Sequence, residues 1–270
     1  MTEAEFKRIA NYIKTKYGID MFAKKAIVEG RLSNMLIREG YASYTDYMNA
    51  VEADASGEMD KELVNLVTTN HTYFMREFEH LDFLRLEILP WLRQKEEKSR
   101  DLRIWCGAAS TGEEPYMIAM TIMDFFGFEL KDWDTTVLAT DLSVEALSTA
   151  VRGRYSAAAI EGMSEHWKKR FFKNIPGTDE YQATEELKAQ VLFRQFNLME
   201  DFPFRRKMHV VFLRNVMIYF DQPTKNALVQ KIYDFLEPGG YLIVGKTETV
   251  DTGEIPFKMV KPSIFRKELA

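Results

Sequence analysis

The first sixty or so residues carry a helical rhythm. Phe6, Ile9, Ala10 and Ile13 recur at the spacing that places them on one helix face, and "MFAKKAIVEGRLSNMLIRE" predicts a second helix between Asp20 and Gly40. "SYTDYMNAV" predicts a third. Polarity then rises through "EADASGEMD", where Gly57 marks a linker or a helix end. The chain is therefore divided into a helical domain over residues 1–65 and a larger domain over 66–270.

Beyond Pro90 the rhythm changes. "LRIWCG", "TTVLATD", "HVVFLRN" and "YLIVGK" are short apolar runs that predict strands, and "EEPYMIAMTIMDFF", "SVEALSTAVRG" and "TKNALVQKIYDFLEPGG" predict helices between them. Such alternation predicts βαβ units and a mostly parallel sheet. "PFKMVKPSIFRKEL" predicts one more strand, turned back antiparallel at the edge. Between residues 155 and 195 the alternation is interrupted, which predicts a subdomain inserted over about 172–195.

Composition narrows the function classes. With 46% hydrophobic and 13% aromatic residues the chain can bury a full core, and a net charge of -5 argues against a surface built for nucleic acid. The four tryptophans, Trp91, Trp105, Trp133 and Trp167, form no stacking pattern for bases. A single cysteine, Cys106, excludes an intrachain disulfide and fits a reducing compartment. With only four histidines beside it, no metal site is expected. No apolar run approaches the roughly 20 residues of a membrane span, so a soluble, cytoplasmic protein without membrane insertion is expected. His71 and His209 are expected to be packing or surface residues, and Met35, Met117, Met120 and Met123 ordinary core.

The stretch "CGAASTGEEP" holds the first chemical signal. Gly107 and Gly112 have the spacing of a phosphate-cradling loop, but the Lys and Ser or Thr of a triphosphate site are replaced by Glu113 and Glu114. Carboxylates at that place oppose a phosphate and favour a cation. Asp141, 29 residues after Gly112, ends the second predicted strand, where an acid accepts hydrogen bonds from ribose hydroxyls. A ligand with a ribose, a base, no phosphate and positive charge is S-adenosylmethionine. The plainer alternatives are first-turn helix charges for the two glutamates and an N-cap for Asp141, with Ser143 competing for that cap.

Taken in order, "TTNHTYFMRE", "ASTGEEPY", "ATDLS" and "LRNVMIYFD" closely resemble the CheR-type methyltransferases, which methylate glutamates of bacterial chemotaxis receptors. The resemblance runs across nearly the whole chain. It implies an α/β fold: a Rossmann-like S-adenosylmethionine-dependent methyltransferase domain, with a small N-terminal all-helical domain and a small inserted β-subdomain. The implied cofactor contacts are Asn70, Thr72, Arg76, Glu114, Asp141, Asn197, Leu198, Leu213 and Arg214, assisted by Asn215. Arg76 and Tyr219 are implied at the reacting centre. Cys106 and Met75 depart from the family pattern and are expected to be packing changes. The inserted segment lacks the glycine-rich "GxGP" hairpin of members that tether to a receptor C-terminal pentapeptide, so the resemblance does not extend to tethering.

The implied chemistry suits these residue types. A glutamate of pKa about 4.3 is ionised at neutral pH, so transfer of a methyl group from S-adenosylmethionine, leaving S-adenosylhomocysteine, needs no general base. Rival readings are a methyltransferase for a small molecule or nucleic acid, although "RNVMIYF" stands where amino-methylating enzymes of nucleic acid carry a "DPPY"-like motif, and a non-catalytic S-adenosylmethionine sensor or scaffold. On the helix expected over about 21–39, Lys24, Arg31 and Arg38 recur every seven residues, nearly two turns. The resemblance implies that this basic stripe meets the acidic methylation region in the cytoplasmic domain of a receptor.

Overall fold

The structure, a computed structural model, describes residues 1–68 and 70–269. Thr69 of the "TTNHTYFMRE" block and Ala270 lie outside them. Four helices come first: α1 (Glu3–Tyr17), α2 (Lys25–Glu39), α3 (Tyr44–Ala53) and α4 (Glu58–Val67). In α1 the amphipathic spacing is realised, with Phe6, Ile9, Ala10, Ile13 and Tyr17 buried. A capping box pairs the Thr2 side chain with the Glu5 backbone and the Glu5 side chain with the Thr2 backbone. Gly18 ends the helix in the left-handed region at φ 72°, and a Cβ there would meet the Met199 sulfur at 2.5 Å. Only glycine serves both demands.

The second helix starts at Lys25, four residues later than expected. Lys24 is its uncapped N-cap, at φ -120° and ψ 27°, so of the three basic residues only Arg31 and Arg38 lie on the helix. Among the described residues no helix is long and apolar enough to cross a membrane.

A helical run of α5 (Glu79–Phe83), a π-turn (Leu84–Ile88) and α6 (Leu89–Lys95) leads into the larger domain. There follow β1 (Ile104–Cys106), α7 (Glu113–Phe126), β2 (Val137–Asp141), α8 (Val144–Arg152), β3 (Arg154–Ser156), α9 (Ala157–Ile160), α10 (Glu165–Phe171), β4 (Phe172–Asn174), β5 (Glu180–Ala183), α11 (Glu185–Ala189) and β6 (Val191–Gln195). The chain ends with β7 (Met208–Leu213), α12 (Gln222–Phe235), β8 (Leu236–Val244), β9 (Phe257–Lys261) and β10 (Ile264–Lys267). The seven-stranded sheet has the order β6-β2-β1-β7-β8-β10-β9. Its first five strands are parallel, and β10 runs antiparallel to β8. β1 and β7 are buried at every position, as strands covered on both faces must be.

Three expectations are corrected. The inserted small sheet, β3-β5-β4, spans Arg154 to Ala183, while Val191–Gln195 pairs with β2 as an edge strand of the main sheet. The insertion therefore begins before residue 172 and ends before 191. The C-terminal segment is two strands of a hairpin, because Ser263 takes φ 61° and turns the chain between them. "LEPGG" belongs to β8 instead of the preceding helix, because Leu236 turns to an extended conformation at ψ 142° and α12 ends at Phe235.

Two cores lie on opposite faces of the sheet. One is built on α7, whose Met117, Met120 and Met123 are all fully buried. The other joins the sheet residues Trp105, Val211 and Leu242 to Ile9, Val28, Met35 and Leu63 of the helical domain. The helical domain thus shares a core with the sheet. Ile19 forms a β-bridge with Phe220, and the Asp20 N–H donates to the Tyr219 carbonyl at 2.8 Å.

Candidate active site

Strand order reverses between β1 and β7: the chain moves outward through β2 and β6, then returns to the other side of β1. The loops at the carboxyl ends of such strands diverge and leave a crevice. A pocket of about 350 Å³ lies there, bounded by the loops after β1, β2, β6 and β7 and by the helical domain.

The loop after β1 is shaped by its backbone. The Ala109 N–H donates to the Thr140 carbonyl at 2.9 Å and the Gly112 N–H to the Ala109 carbonyl at 3.0 Å. Gly112 takes φ 98°, and a Cβ there would meet the Ala150 Cβ at 2.8 Å and the Tyr155 hydroxyl at 2.9 Å. The two glutamates that follow part company. Glu113 is buried and accepts a hydrogen bond from the Thr111 hydroxyl at 2.7 Å, whereas Glu114 lines the pocket.

Asp141 ends β2 and is held from both sides. Its Oδ2 accepts from the Ser110 N–H at 2.7 Å and its Oδ1 from the Ser143 N–H at 2.9 Å. The Ser143 side chain, not Asp141, caps α8. Burial raises the Asp141 pKa against those backbone bonds. Each oxygen keeps capacity for one further donor on the pocket side, which suits a pair of ribose hydroxyls.

A buried ionic group closes the pocket floor. The Arg214 guanidinium is wholly excluded from solvent and lies between Glu77, at 3.3 Å, and Glu114, at 3.4 Å. Its Nη2 also donates to the Arg76 carbonyl at 2.5 Å. Glu114 Oε1 and Arg214 Nη1 attract each other without hydrogen-bond geometry, so both are buried atoms lacking a hydrogen bond. Burial raises the Glu114 pKa, with Arg214 opposing. A cationic ligand group reaching Glu114 would oppose that effect of burial and favour the charged carboxylate.

Arg76 sits in a strained turn. Met75 at φ 68° and Glu77 at φ 51° are left-handed on either side of it, a conformation that costs roughly 1–2 kcal/mol per non-glycine residue. Its guanidinium donates to the His71 carbonyl at 2.9 Å and lies 5.6 Å from the centre of the Tyr73 ring. Tyr219, in a short 3-10 turn (Met217–Tyr219), faces the same pocket, and the Lys24 ammonium lies 4.8 Å over its ring. The loop after β7 is held to the loop after β8 by Glu248, which accepts from the N–H groups of Asn215, Gly245 and Ile218.

Most of the expected site residues converge. Asn70, Thr72, Arg76, Glu114, Asp141, Asn197, Leu198, Arg214, Asn215 and Tyr219 line the pocket, as does Lys24. Leu213 does not; its side chain is fully buried, packed toward Gly107. Asn197 is committed in part to the helical domain, donating to the Lys16 carbonyl at 2.9 Å. His71 also lines the pocket, and His209 is a buried packing residue. Arg31 and Arg38 stand away from it. Arg31 donates to the carbonyls of Leu66 and Thr68 at the end of α4, and Arg38 is paired with Glu39 and Glu62. Sequence reasoning missed Glu77 and Glu248; Glu77 is the last residue of "TTNHTYFMRE", next to Arg76, and Glu248 is an acid in the loop after β8. Among the described residues no group of three or more His, Cys, Asp or Glu side chains could hold a metal ion.

Comparison with known proteins accords with this geometry. Residues 70–265 match the family model described as CheR methyltransferase, SAM binding domain, and residues 4–68 match CheR methyltransferase, all-alpha domain. A chemotaxis protein methyltransferase of Borreliella burgdorferi is 35% identical over 99% of this chain and 95% of its own. Chemotaxis protein methyltransferase 2 of Pseudomonas aeruginosa is 36% identical over 92% and 87%. The chemotaxis protein methyltransferase of Escherichia coli is 30% identical over 98% and 91%.

Proposed function

We propose, for a chain that belongs to the CheR methyltransferase family, that this pocket directs a methyl group onto glutamate side chains in the cytoplasmic helices of chemoreceptors, forming methyl esters. S-adenosylmethionine-dependent methyl transfer in chemotaxis comes with that membership. The observation that carries the choice of acceptor is the convergence of Arg76 and Tyr219, 143 positions apart in the chain, on the pocket that holds Asp141 and Glu114.

S-adenosylmethionine, when bound, supplies an electrophilic methyl group on a sulfonium. Asp141 would accept from its ribose and Glu114 would face its positive charge; Asn70, Thr72, Asn197, Leu198 and Asn215 complete the walls, and Arg214 is paired with Glu114. A receptor glutamate arrives ionised. Arg76 organises the cofactor and orients a carboxylate through a two-pronged hydrogen bond, and the Tyr219 hydroxyl donates to the acceptor oxygens. Proton removal is unnecessary, in keeping with the absence of a catalytic base from these roles. Tyr17, Ile19 and Met21 of the helical segment wall the pocket and exclude water, which favours a reaction in which opposite charges cancel.

Lys24 stands at the pocket, and Arg38 is 62% exposed on its side chain. Together with Arg31 they form the basic side that meets an acidic receptor. A cytoplasmic location belongs to the same proposal. The test is incubation with methyl-labelled S-adenosylmethionine and receptor cytoplasmic fragments, followed by mild base. Label released as methanol identifies a glutamate ester, and label stable to base refutes it. Tyr219→Phe is expected to lower turnover by roughly 10- to 100-fold, the worth of one hydrogen bond to a charged group, with cofactor affinity nearly unchanged.

A further inference from the structure

The residue that organises the pocket floor does not line the pocket. Glu77 lies behind Arg214, outside the ring of lining residues. Its carboxylate faces Arg214 Nη2 at 3.3 Å and Nε at 3.4 Å, and accepts from the Lys246 N–H at 3.3 Å and from the Asn215 side-chain amide at 3.4 Å. The partners come from two separate places: the loop after β7 and the loop after β8. Glu77 belongs to a third segment, the turn that carries Arg76. A single carboxylate therefore ties the turn that carries Arg76 to two loops that the pairing of β7 with β8 brings side by side.

Two further observations give this arrangement a purpose. Arg76 is flanked by two left-handed non-glycine residues, Met75 and Glu77, and such a backbone persists only where its surroundings over-determine it. The bonds that do so run through Glu77 and through Arg214, whose Nη2 donates to the Arg76 carbonyl. Arg214 also stands between two carboxylates. Glu77 takes part of its charge, and Glu114 Oε1, 3.4 Å from Nη1, makes no hydrogen bond with it. The Glu77 carboxylate has its pKa held below the usual carboxylate value: burial raises it, but Arg214, the Lys246 N–H and the Asn215 amide outweigh that.

We propose that Glu77 is a positioning residue for S-adenosylmethionine and its product, acting through Arg76 by locking the strained turn against Arg214 and the loop at Lys246. This rests on the reading of the pocket as the S-adenosylmethionine site. Lys246 contributes to the lock with its backbone; its ammonium pairs instead with Glu79.

A double-mutant cycle separates positioning from mere stability. The dissociation constant of S-adenosylhomocysteine is measured by calorimetry for the wild type, Glu77→Gln, Arg76→Ala and the double variant. Glu77→Gln keeps the side chain's shape and removes its charge. The expected result is weakening of about five- to tenfold in the wild-type background and less than twofold when Arg76 is already alanine. Equal weakening in both backgrounds, or none in either, overturns the proposal. Glu77→Asp, which keeps the charge and withdraws it by one methylene, is measured in the same cycle and carries the same expectation if Glu77→Gln does not fold. Failure of the wild type to bind S-adenosylhomocysteine would refute the pocket assignment itself, a result distinct from an unaltered Glu77 variant.

Discussion

The side-chain amide of Asn197 donates to the carbonyl of Lys16 at 2.9 Å, across 181 positions of sequence. Its oxygen accepts from the Met199 N–H at 3.1 Å. A pocket-lining loop of the sheet domain is thereby fastened to the last turn of α1. The Lys231 ammonium secures the same loop from the other side, donating to the Leu198 carbonyl at 2.9 Å.

Asn197→Ala removes the clasp and leaves the Lys16 carbonyl to water. The expected loss is about 0.5–1.5 kcal/mol, together with faster amide exchange at the end of α1 and in residues 18–20. Hydrogen exchange with and without S-adenosylhomocysteine checks it. Unaltered exchange in the variant would mean that the shared core alone holds the domains together.

Asp141→Asn is expected to weaken S-adenosylmethionine binding by roughly 10- to 100-fold, because a hydrogen bond to a charged acceptor is worth about 1.5–3 kcal/mol. The same substitution loosens the Ser110 N–H, which donates to Oδ2. Calorimetry on folded variant decides the matter, and wild-type affinity would remove Asp141 from the ribose role.

Acid stability should carry the mark of His80. Burial, aided by the Arg214 guanidinium and opposed by Glu77, pushes its pKa down to about 4. The unfolded value is about 6.5, so between about pH 6.5 and pH 4 the unfolded chain takes up a proton that the native chain refuses. Stability from the neutral imidazole is thus complete above that window and falls as pH drops through it. The loss by pH 5 is on the order of 2 kcal/mol. Urea unfolding near pH 7.5 and pH 5 should give a smaller pH-dependent difference for His80→Gln than for the wild type. His209, also pushed down to about 4 by burial, retains its own share.

The basic residues of the helical domain should not respond alike. Arg38→Glu changes an exposed charge and is expected to slow receptor methylation two- to fivefold at low salt, with the effect fading as screening shortens to about 8 Å at 0.15 M. Arg31→Glu also breaks the bonds to the Leu66 and Thr68 carbonyls and should lower the melting temperature as well as the rate. Initial rates at subsaturating receptor across a salt series, beside melting curves, distinguish the two. Salt-independent rates for Arg38→Glu would remove this face from docking.

The sequence by itself determined what is local. The spacing of Phe6, Ile9 and Ile13 marks a buried helix face, Gly18 and Gly112 sit where a turn demands a positive φ, and an acid closes the strand that ends in Asp141. These signals survive because helix period, capping and strand burial act within a few residues. Order along the chain also placed the strand end that carries Arg214. The tertiary structure decided which distant groups meet. Whether Asn197 faces the cofactor alone or also clasps Lys16, and whether Arg214 reaches Glu77, Arg76 or Glu114, depends on which strands neighbour one another and on the core shared with the helical domain. The same holds for the edge strand Val191–Gln195, whose place beside β2 is a long-range pairing. Such pairings leave no periodic trace in sequence, because the energy that selects them comes from burying surfaces contributed by segments far apart in the chain.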